Sequence, residues 1–244
     1  EEHTAEGNTL ERALDALREG LPEPPLWDTT YVMKLKNKLA AHVLEQTTEE
    51  RYPMTPQRLV ADVRKVVSEQ GTITLDNGMY KIWFARNYPA YRPNSLLLDN
   101  ALATMGAGLP SAIAAKLIEP ERPTLAIVGD GGLAMSLGEL ETAVRLKLDI
   151  TVLVLRDNGF GMIAWKQQAM RLPEFGLKFG NPDIVALAQS FGCQGARVNS
   201  AAELVPCLKQ ALGKSGVRVI DVAVDYSENE RVLGKELADK TCDL

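Results

Sequence analysis

The chain has 244 residues, of which 45% are hydrophobic and 24% charged, a composition typical of a globular protein with a sizeable core. Its formal net charge of −5 argues against a surface for nucleic acid or for an anionic membrane. We expect a cytoplasmic protein with reduced thiols, because no apolar run is long enough to span a membrane, no signal peptide is visible, and Cys193, Cys207 and Cys242 lack metal-ligand spacing.

Three helices are predicted before residue 70. Apolar residues at helical spacing indicate helices over Asn8–Leu21 and Tyr31–Glu45, and a proline-rich stretch ends the first of them. The polar segment Thr47–Pro53 is predicted to be a loop. The third helix begins at Pro56 with Thr55 as its N-cap, since threonine is preferred at the cap and proline at the first helical residue.

From residue 72 the pattern alternates between strands and helices, which predicts an α/β fold with a doubly wound, mostly parallel sheet and helices on both faces. Strands are predicted at Thr72–Leu75, Ser95–Leu98, Thr124–Val128, Ile150–Leu155, Gly195–Val198 and Arg218–Val224. Helices are predicted at Met79–Asn87, Thr104–Ile118, Asp183–Phe191 and Ala201–Leu212. Between the third and fourth strands, Ser136 and Glu139 predict a capping box at the start of a further helix.

Two short motifs follow the third and fourth predicted strands. Gly129-Asp130-Gly131 comes after the third strand, and Arg156-Asp157-Asn158-Gly159 comes after the fourth. Because the carboxyl ends of neighbouring parallel strands meet at one edge of a sheet, we expect the carboxylates of Asp130 and Asp157 to lie together there. Two oxygen donors beside a glycine-rich helix start are typical of a magnesium ion that holds a diphosphate. The same residues also fit a plain strand-to-helix turn, or a nucleotide- or phosphate-binding module without catalytic activity.

With these motifs the chain resembles the diphosphate-binding domain of the thiamine-diphosphate-dependent enzymes. That family has Gly-Asp-Gly followed, one helix and one strand later, by Asn-Asn, and it has a segment like Asn100–Pro110 beneath the cofactor. The resemblance to acetolactate synthases, particularly the catabolic type, is closer and covers roughly Arg51 to Asn229. It rests on the segments Arg51–Pro56, Glu139–Lys147, Met162–Trp165, Phe179-Gly180, Ser190–Cys193 and Val224–Asn229.

The resemblance implies a role for each matched residue. Asp130, Asp157 and the carbonyl of Gly159 would bind Mg²⁺, and Gly131 and Gly132 would offer N–H groups to the diphosphate of the thiamine diphosphate. The complete cofactor-binding set that the resemblance implies is Asn77, Gly78, Tyr80, Ala103, Met105, Gly129, Asp130, Gly131, Gly132, Phe160 and Met162.

Four further residues have expected roles, and three of these roles have an alternative. Met105 would be the bulky residue that bends the cofactor, or it packs in the core. The carbonyl of Ala103 would accept a hydrogen bond from the aminopyrimidine. Asp157 is preferred to Asn158 as the metal ligand, because catabolic acetolactate synthases also tend to have Asp at this position. Trp165 either lines the substrate pocket or packs as an aromatic residue of a helix.

One position departs from the family's pattern. Relatives often have Ser-His or Gln-His near the diphosphate, whereas this chain has Met79-Tyr80 after Asn77-Gly78. Tyr80 keeps a hydroxyl that can form a hydrogen bond, but Met79 has no such group. The alternatives to acetolactate synthase are therefore another thiamine-diphosphate-dependent 2-oxo-acid decarboxylase or carboligase, and a non-catalytic homologue.

The resemblance also implies a longer parent protein. Acetolactate synthases condense two pyruvates with loss of CO₂, and the glutamate that activates the cofactor comes from an N-terminal domain of a partner subunit. We expect residues 1–21 to be a remnant of a middle domain, 22–50 a linker with a helix, 51–230 the diphosphate- and metal-binding domain, and 231–244 a tail. We therefore expect no catalytic residue in this chain, no activity from it alone, and self-association as a homodimer or homotetramer.

Overall fold

The computed structural model of the chain describes residues 12–20 and 28–236. The chain divides after Val43 into two compact units. In the first, the described residues form helix α1 at 12–20 and helix α2 at Thr30–Val43, and α2 has no buried residue. The predicted proline-rich stretch and Cys242 lie outside the described residues. The domain limits at residues 21, 50 and 230 stay a prediction.

The second unit is built on a six-stranded sheet, whose strands are β1 (Thr72–Leu75), β2 (Leu96–Leu98), β3 (Thr124–Gly129), β4 (Ile150–Arg156), β5 (Gln194–Arg197) and β6 (Arg218–Ala223). The strand order is β2-β1-β3-β4-β6-β5, and all five pairs are parallel. The predicted doubly wound sheet is therefore confirmed. The direction of winding reverses between β1 and β3, and open α/β sheets bind ligands at the carboxyl ends of such neighbouring strands.

Helices cover both faces of this sheet, because its central strands are apolar on both sides. In β3, Leu125 and Ile127 belong to the core on one face, whereas Ala126 and Val128 belong to the core on the other. Helices α3 (Pro56–Val66), α4 (Met79–Asn87) and α10 (Ala201–Leu212) complete the first core. Helices α5 (Gly108–Ile118), α7 (Glu139–Arg145) and α9 (Ile184–Ser190) complete the second.

Three shorter elements lie at the ends of strands or of the chain. Helix α6 (Asp130–Met135) follows β3, helix α8 (Gly161–Ala169) follows β4, and a π-helical segment (Glu230–Lys235) follows β6. Neither α8 nor the π-helical segment was predicted. The predicted cap of α3 is confirmed, since the Thr55 side chain accepts a hydrogen bond from the N–H of Arg58 at 3.4 Å.

Helix α5 begins at Gly108 and not at the predicted Thr104. Both carboxylate oxygens of Asp76 accept the N–H of Gly106, at 2.8 and 3.0 Å. Gly106 has φ +88°, a left-handed conformation that a helix does not allow and that glycine adopts without strain. The residues before Gly108 therefore form a turn against the end of β1, and the helical spacing of the sequence did not reveal this distant partner.

The predicted capping box at Ser136 and Glu139 is wrong. Ser136 ends α6, and its hydroxyl donates to the carbonyl of Gly132 at 3.4 Å. The N–H of Glu139 donates to the carbonyl of Ser136, and Gly138 occupies the N-cap of α7 without a side-chain hydrogen bond. The segment between β3 and β4 consequently contains two short helices in place of one.

Candidate functional site

Asp130 lies at the carboxyl end of β3, as the first residue of α6, and is only 4% exposed. Its Oδ1 accepts a hydrogen bond from the N–H of Gly131 at 2.8 Å. Its Oδ2 accepts hydrogen bonds from the N–H of Asn158 at 2.8 Å and from Nδ2 of Asn181 at 2.7 Å. Three donors thus compensate for the burial of this carboxylate, and one of them comes from the loop after β4.

Asp157 follows β4, which is the parallel neighbour of β3. Burial raises the pKa of Asp157 to about 7, and the nearby carboxylate of Asp130 acts in the same direction. Asp157 also accepts a backbone hydrogen bond from Gly159, which opposes the rise without cancelling it. The two carboxylates are therefore close enough to repel each other, and a cation between them would be stabilised.

The part of the chain that the structure describes has no group of three His, Cys, Asp or Glu side chains that could hold a metal ion. A divalent cation at Asp130 and Asp157 would need further oxygen ligands. Backbone carbonyls such as that of Gly159, water and a phosphate group are the ligands that magnesium takes beside one or two carboxylates.

Asp76 is a third buried carboxylate in this region, and the sequence analysis missed its role. It is fully buried at the end of β1, where it accepts hydrogen bonds from the N–H groups of Asn77, at 2.6 Å, and Gly106. Burial raises the pKa of Asp76, although these N–H groups oppose the rise. The available signal was the one that indicated Asp130 and Asp157, namely an acidic residue directly after a buried strand.

The first turn of α6 is packed too closely for side chains larger than hydrogen. A Cβ atom on Gly132 would lie 2.9 Å from Cγ of Asp76. A Cβ atom on Gly131 would lie 3.1 Å from Cε1 of Phe160 and 3.2 Å from Cε of Met105. The two glycines therefore allow α6 to pack against Asp76, Phe160 and Met105, and both line the cleft described below.

A cleft of about 210 Å³ opens between the ends of β1, β3 and β4 and the first turns of α4 and α8. Most residues predicted from the sequence line it together, namely Asn77, Gly78, Tyr80, Met105, Gly129, Asp130, Gly131, Gly132, Asp157, Gly159, Phe160 and Met162. The other lining residues are Met79, Gly161, Ile163, Lys166 and Tyr226.

Three residues that the sequence analysis considered lie outside this lining. The carbonyl of Ala103 accepts a hydrogen bond from Nδ2 of Asn77 at 3.3 Å, and Trp165 packs against the core. The side-chain oxygen of Asn158 accepts a hydrogen bond from Asn181 at 2.9 Å. Asp157 lines the cleft and Asn158 does not, while the choice of Asp157 as a metal ligand stays a prediction.

Two tyrosines bring hydroxyl groups to the cleft. The hydroxyl of Tyr80 accepts a hydrogen bond from the N–H of Gly129 at 2.8 Å. The hydroxyl of Tyr226 is also buried; it lies at the N–H of Tyr80, and none of the described residues accepts its proton. Burial raises the pKa of both tyrosines well above the usual value, so both are neutral donors. A buried hydroxyl proton without an acceptor is costly, and an acceptor bound in the cleft would satisfy it.

Residues 76–222 match the family described as thiamine pyrophosphate enzyme, C-terminal TPP binding domain. The match covers more than half of the chain and contains nearly all of the cleft. The chain belongs to this family of thiamine pyrophosphate enzymes. The domain of this family binds thiamine diphosphate, which is therefore the cofactor of this chain.

The chain is similar to proteins described as acetolactate synthases. It is 39% identical over 182 residues to acetolactate synthase of Bacillus subtilis (strain 168). This alignment covers 75% of this chain and 32% of that protein. It is 36% identical over 185 residues to the catabolic acetolactate synthase of Raoultella terrigena. This second alignment covers 76% of this chain and 33% of that protein. The chain thus spans about a third of the length of these relatives.

A solved structure shares the fold. Thiamine diphosphate-dependent 4-hydroxybenzoylformate decarboxylase of Rhodococcus jostii RHA1 superposes with a TM-score of 0.68 at 24% sequence identity. The superposition covers 72% of this chain and 33% of that one.

Among the described residues of the present chain, none of the helices has the length and apolar character needed to cross a membrane.

The cleft fits the family's cofactor on three observations from its own residues. Gly131 and Gly132 place backbone without side chains in the cleft lining, the carboxylates of Asp130 and Asp157 suit a hard divalent cation, and the buried hydroxyl of Tyr226 lacks an acceptor. The side chains of Met105, Phe160 and Met162 add an apolar wall beside these polar groups. Such a mixture of polar anchors and apolar surface is typical of cofactor pockets.

Proposed function

We propose that this chain is the cofactor-binding part of a thiamine-diphosphate-dependent carboligase of the acetolactate synthase type, which condenses two pyruvates with loss of CO₂. The observation that carries the proposal is the cleft itself. It unites the Gly-Asp-Gly turn after β3 with the Asp157 turn after β4, in a chain similar to acetolactate synthases over three quarters of its length.

Different residues of the cleft would bind the cation and the diphosphate. Asp130, Asp157 and the carbonyl of Gly159 would hold Mg²⁺, while Gly131 and Gly132 leave room for the diphosphate. The apolar side chains beside them exclude water from the reacting part of the cleft. When bound, thiamine diphosphate supplies the nucleophilic carbon and the electron sink that decarboxylation of a 2-oxo acid requires.

A second candidate function is another thiamine-diphosphate-dependent decarboxylase or carboligase. The specific observation is Tyr80, which lines the cleft where relatives often have histidine and binds the backbone of Gly129. An assay of the purified full protein with pyruvate separates the two candidates. Acetolactate as the main product supports the first, and free acetaldehyde supports the second.

The first prediction concerns Asp130. We expect Asp130→Ala to weaken retention of Mg²⁺ and thiamine diphosphate by at least about 100-fold, because even partners of metal ligands contribute factors of about 10–100. Isothermal titration calorimetry with thiamine diphosphate, with and without Mg²⁺, measures the loss. Asp130→Asn keeps one acceptor oxygen for the surrounding N–H groups, so it separates the loss of charge from misfolding.

Asp149 provides a matched control for this variant. It lies directly before β4, at the opposite edge of the sheet, where it accepts a hydrogen bond from the N–H of Gly216 at 2.6 Å. Asp149→Ala should bind the cofactor as the wild type does. Full Mg²⁺-dependent binding by both Asp130 variants would contradict the proposed function.

The assembly of the whole protein is part of the same proposal. Large apolar side chains are exposed on segments that follow or precede cleft residues in the chain, namely Leu102 before α5, Met135 at the end of α6, Ile163 in α8, and Met170 and Phe175 after α8. Such exposure supports self-association as a homodimer or homotetramer, with a partner subunit supplying the activating glutamate. Light scattering on the purified protein tests this, and a monomer would contradict it. Cytoplasmic location stays a prediction.

A further inference from the structure

Asn181 is a polar residue of the site that neither the motifs nor the family resemblance indicated. Its Nδ2 donates to Oδ2 of Asp130 at 2.7 Å and to Oδ1 of Asn158 at 2.9 Å. The N–H of Asn158 donates to the same oxygen of Asp130 at 2.8 Å. One side-chain amide therefore closes a ring of hydrogen bonds between the first residue of α6 and the loop after β4.

The segment that carries Asn181 is held in place by contacts of its own. The N–H of Phe179 donates to the carbonyl of Asn158 at 3.2 Å, and the N–H of Phe160 donates to the carbonyl of Leu177 at 3.0 Å. The rings of Phe160 and Phe179 pack with their centroids 4.9 Å apart. These contacts do not involve the Asn181 side chain, so its removal leaves the segment anchored.

The backbone after Asn181 is equally constrained. Pro182 favours an extended conformation for the residue before it. Asp183 caps α9 and pairs with Arg197 at 2.9 Å, and Arg197 also pairs with the fully buried Asp221 at 2.7 Å. Arg156, directly before Asp157, binds the other oxygen of Asp221 at 2.9 Å. The loop of Asp157 and the segment of Asn181 thus share one buried anchor.

We propose that Asn181 is a positioning residue of the cation site, which orients Asp130 and Asn158 so that the start of α6 and the loop after β4 present their oxygens to Mg²⁺ in a single geometry. The inference rests on the proposed function, since it concerns the same site. Partners that orient metal ligands by hydrogen bonds are typically worth factors of about 10–100 in metal affinity. A merely structural role for Asn181 would instead change stability to the same extent with and without the cation.

Two substitutions with opposite expected effects separate these roles. Asn181→Ala removes both hydrogen bonds, so Mg²⁺ affinity in the presence of thiamine diphosphate should fall about 10–100-fold. Asn181→Asp adds a carboxylate beside Asp130 and Asp157, and a cation would relieve the repulsion. Its melting temperature should therefore be lower than that of the wild type in EDTA, and Mg²⁺ should raise it by more.

The experiment measures melting temperature and Mg²⁺ titration calorimetry on the purified full protein, with Asn199→Ala as the control. Asn199 is an exposed asparagine between β5 and α10, outside the cleft lining, and its variant should match the wild type. Wild-type Mg²⁺ affinity in Asn181→Ala, or equal Mg²⁺ stabilisation of Asn181→Asp and wild type, overturns the inference and leaves the proposed function intact. A wild-type protein that binds neither Mg²⁺ nor thiamine diphosphate overturns both.

Discussion

At the scale of single residues, Asp157 shows that the site is not arranged for maximal stability of the chain. Its pKa of about 7 arises first from burial and second from the neighbouring carboxylate of Asp130. An ordinary aspartate in an unfolded chain titrates near pH 4, so the folded protein keeps this proton over a wider range. The free energy of unfolding therefore falls as pH rises from about 4 to about 7. Above about pH 7 the whole destabilisation caused by ionised Asp157 is present.

We accordingly predict that Asp157→Asn stabilises the protein in EDTA by about 1–2 kcal/mol at neutral or higher pH, after allowing for partial exposure. The neutral amide avoids the cost of ionisation but is a poorer ligand, so Mg²⁺ affinity should fall in the same variant. Urea unfolding at about pH 5 and about pH 8 measures the effect, which should be larger at the higher pH. The same stabilisation at both pH values would argue against ionisation of Asp157 as the cause.

At the scale of elements, Asp76 joins three segments that are distant in the sequence. It ends β1, holds the turn before α5 through Gly106, and packs against Gly132 of α6. Gly108 allows the same close approach, since a Cβ atom there would lie 2.8 Å from Cβ of Asp76. The positions of α5 and α6 at the cleft therefore depend on the absence of side chains at these glycines.

Gly132→Ala tests this arrangement. The added methyl group would collide with the Asp76 carboxylate, which would have to move and weaken its hydrogen bonds to Gly106. We expect the free energy of unfolding to fall by about 2–3 kcal/mol, within the range for overpacked interiors. Denaturant unfolding measures the change, and cofactor titration should show weaker binding.

Gly138→Ala is the matched control for this prediction. Gly138 has helical backbone angles and no heavy atom within 4 Å of a built Cβ. Alanine there should be neutral or slightly stabilising. Equal losses of stability in the two variants would show that crowding against Asp76 is not the reason.

At the scale of the whole molecule, buried polar contacts connect parts of the chain that helices and strands alone would not align. Asp221, fully buried in β6, pairs with Arg156 at the end of β4 and with Arg197 at the end of β5. Nε1 of Trp83 in α4 donates to Oδ1 of Asn229 at 2.8 Å, which ties the chain after β6 to the first core. The first contact joins three strands on the side of the sheet that carries the Asp157 loop, and the second joins α4 to the chain after β6.

We predict that Asp221→Asn lowers the free energy of unfolding by about 1.5–3 kcal/mol, because both arginines would lose a buried anionic partner while they stay partly exposed to water. Thermal or urea unfolding measures the loss. The exposed pair of Arg145 and Glu141 is the comparison, with both side chains about 60% exposed. Glu141→Gln should change stability by less than about 0.5 kcal/mol, and similar losses in the two variants would contradict the role given to Asp221.

Local sequence patterns were sufficient to predict the parallel doubly wound sheet, most strand and helix limits, and the two motif turns. The apolar run Ile150–Leu155 indicates a strand buried on both faces, and Thr55 with Pro56 indicates a helix start. The resemblance of short motifs to a known family added the cofactor class, because those motifs are contiguous in the chain.

Features that depend on partners far apart in the sequence became visible only in the folded structure. Asp76 binds the turn before α5 and so moves the start of that helix to Gly108, Asn181 binds Asp130 across 51 residues, and Tyr226 adds a buried hydroxyl without an acceptor beside the cleft. No helical or strand periodicity encodes such contacts, because they form only after the strands have aligned their carboxyl ends. Side chains that complete a site from a distant segment therefore become visible only when the chain is folded.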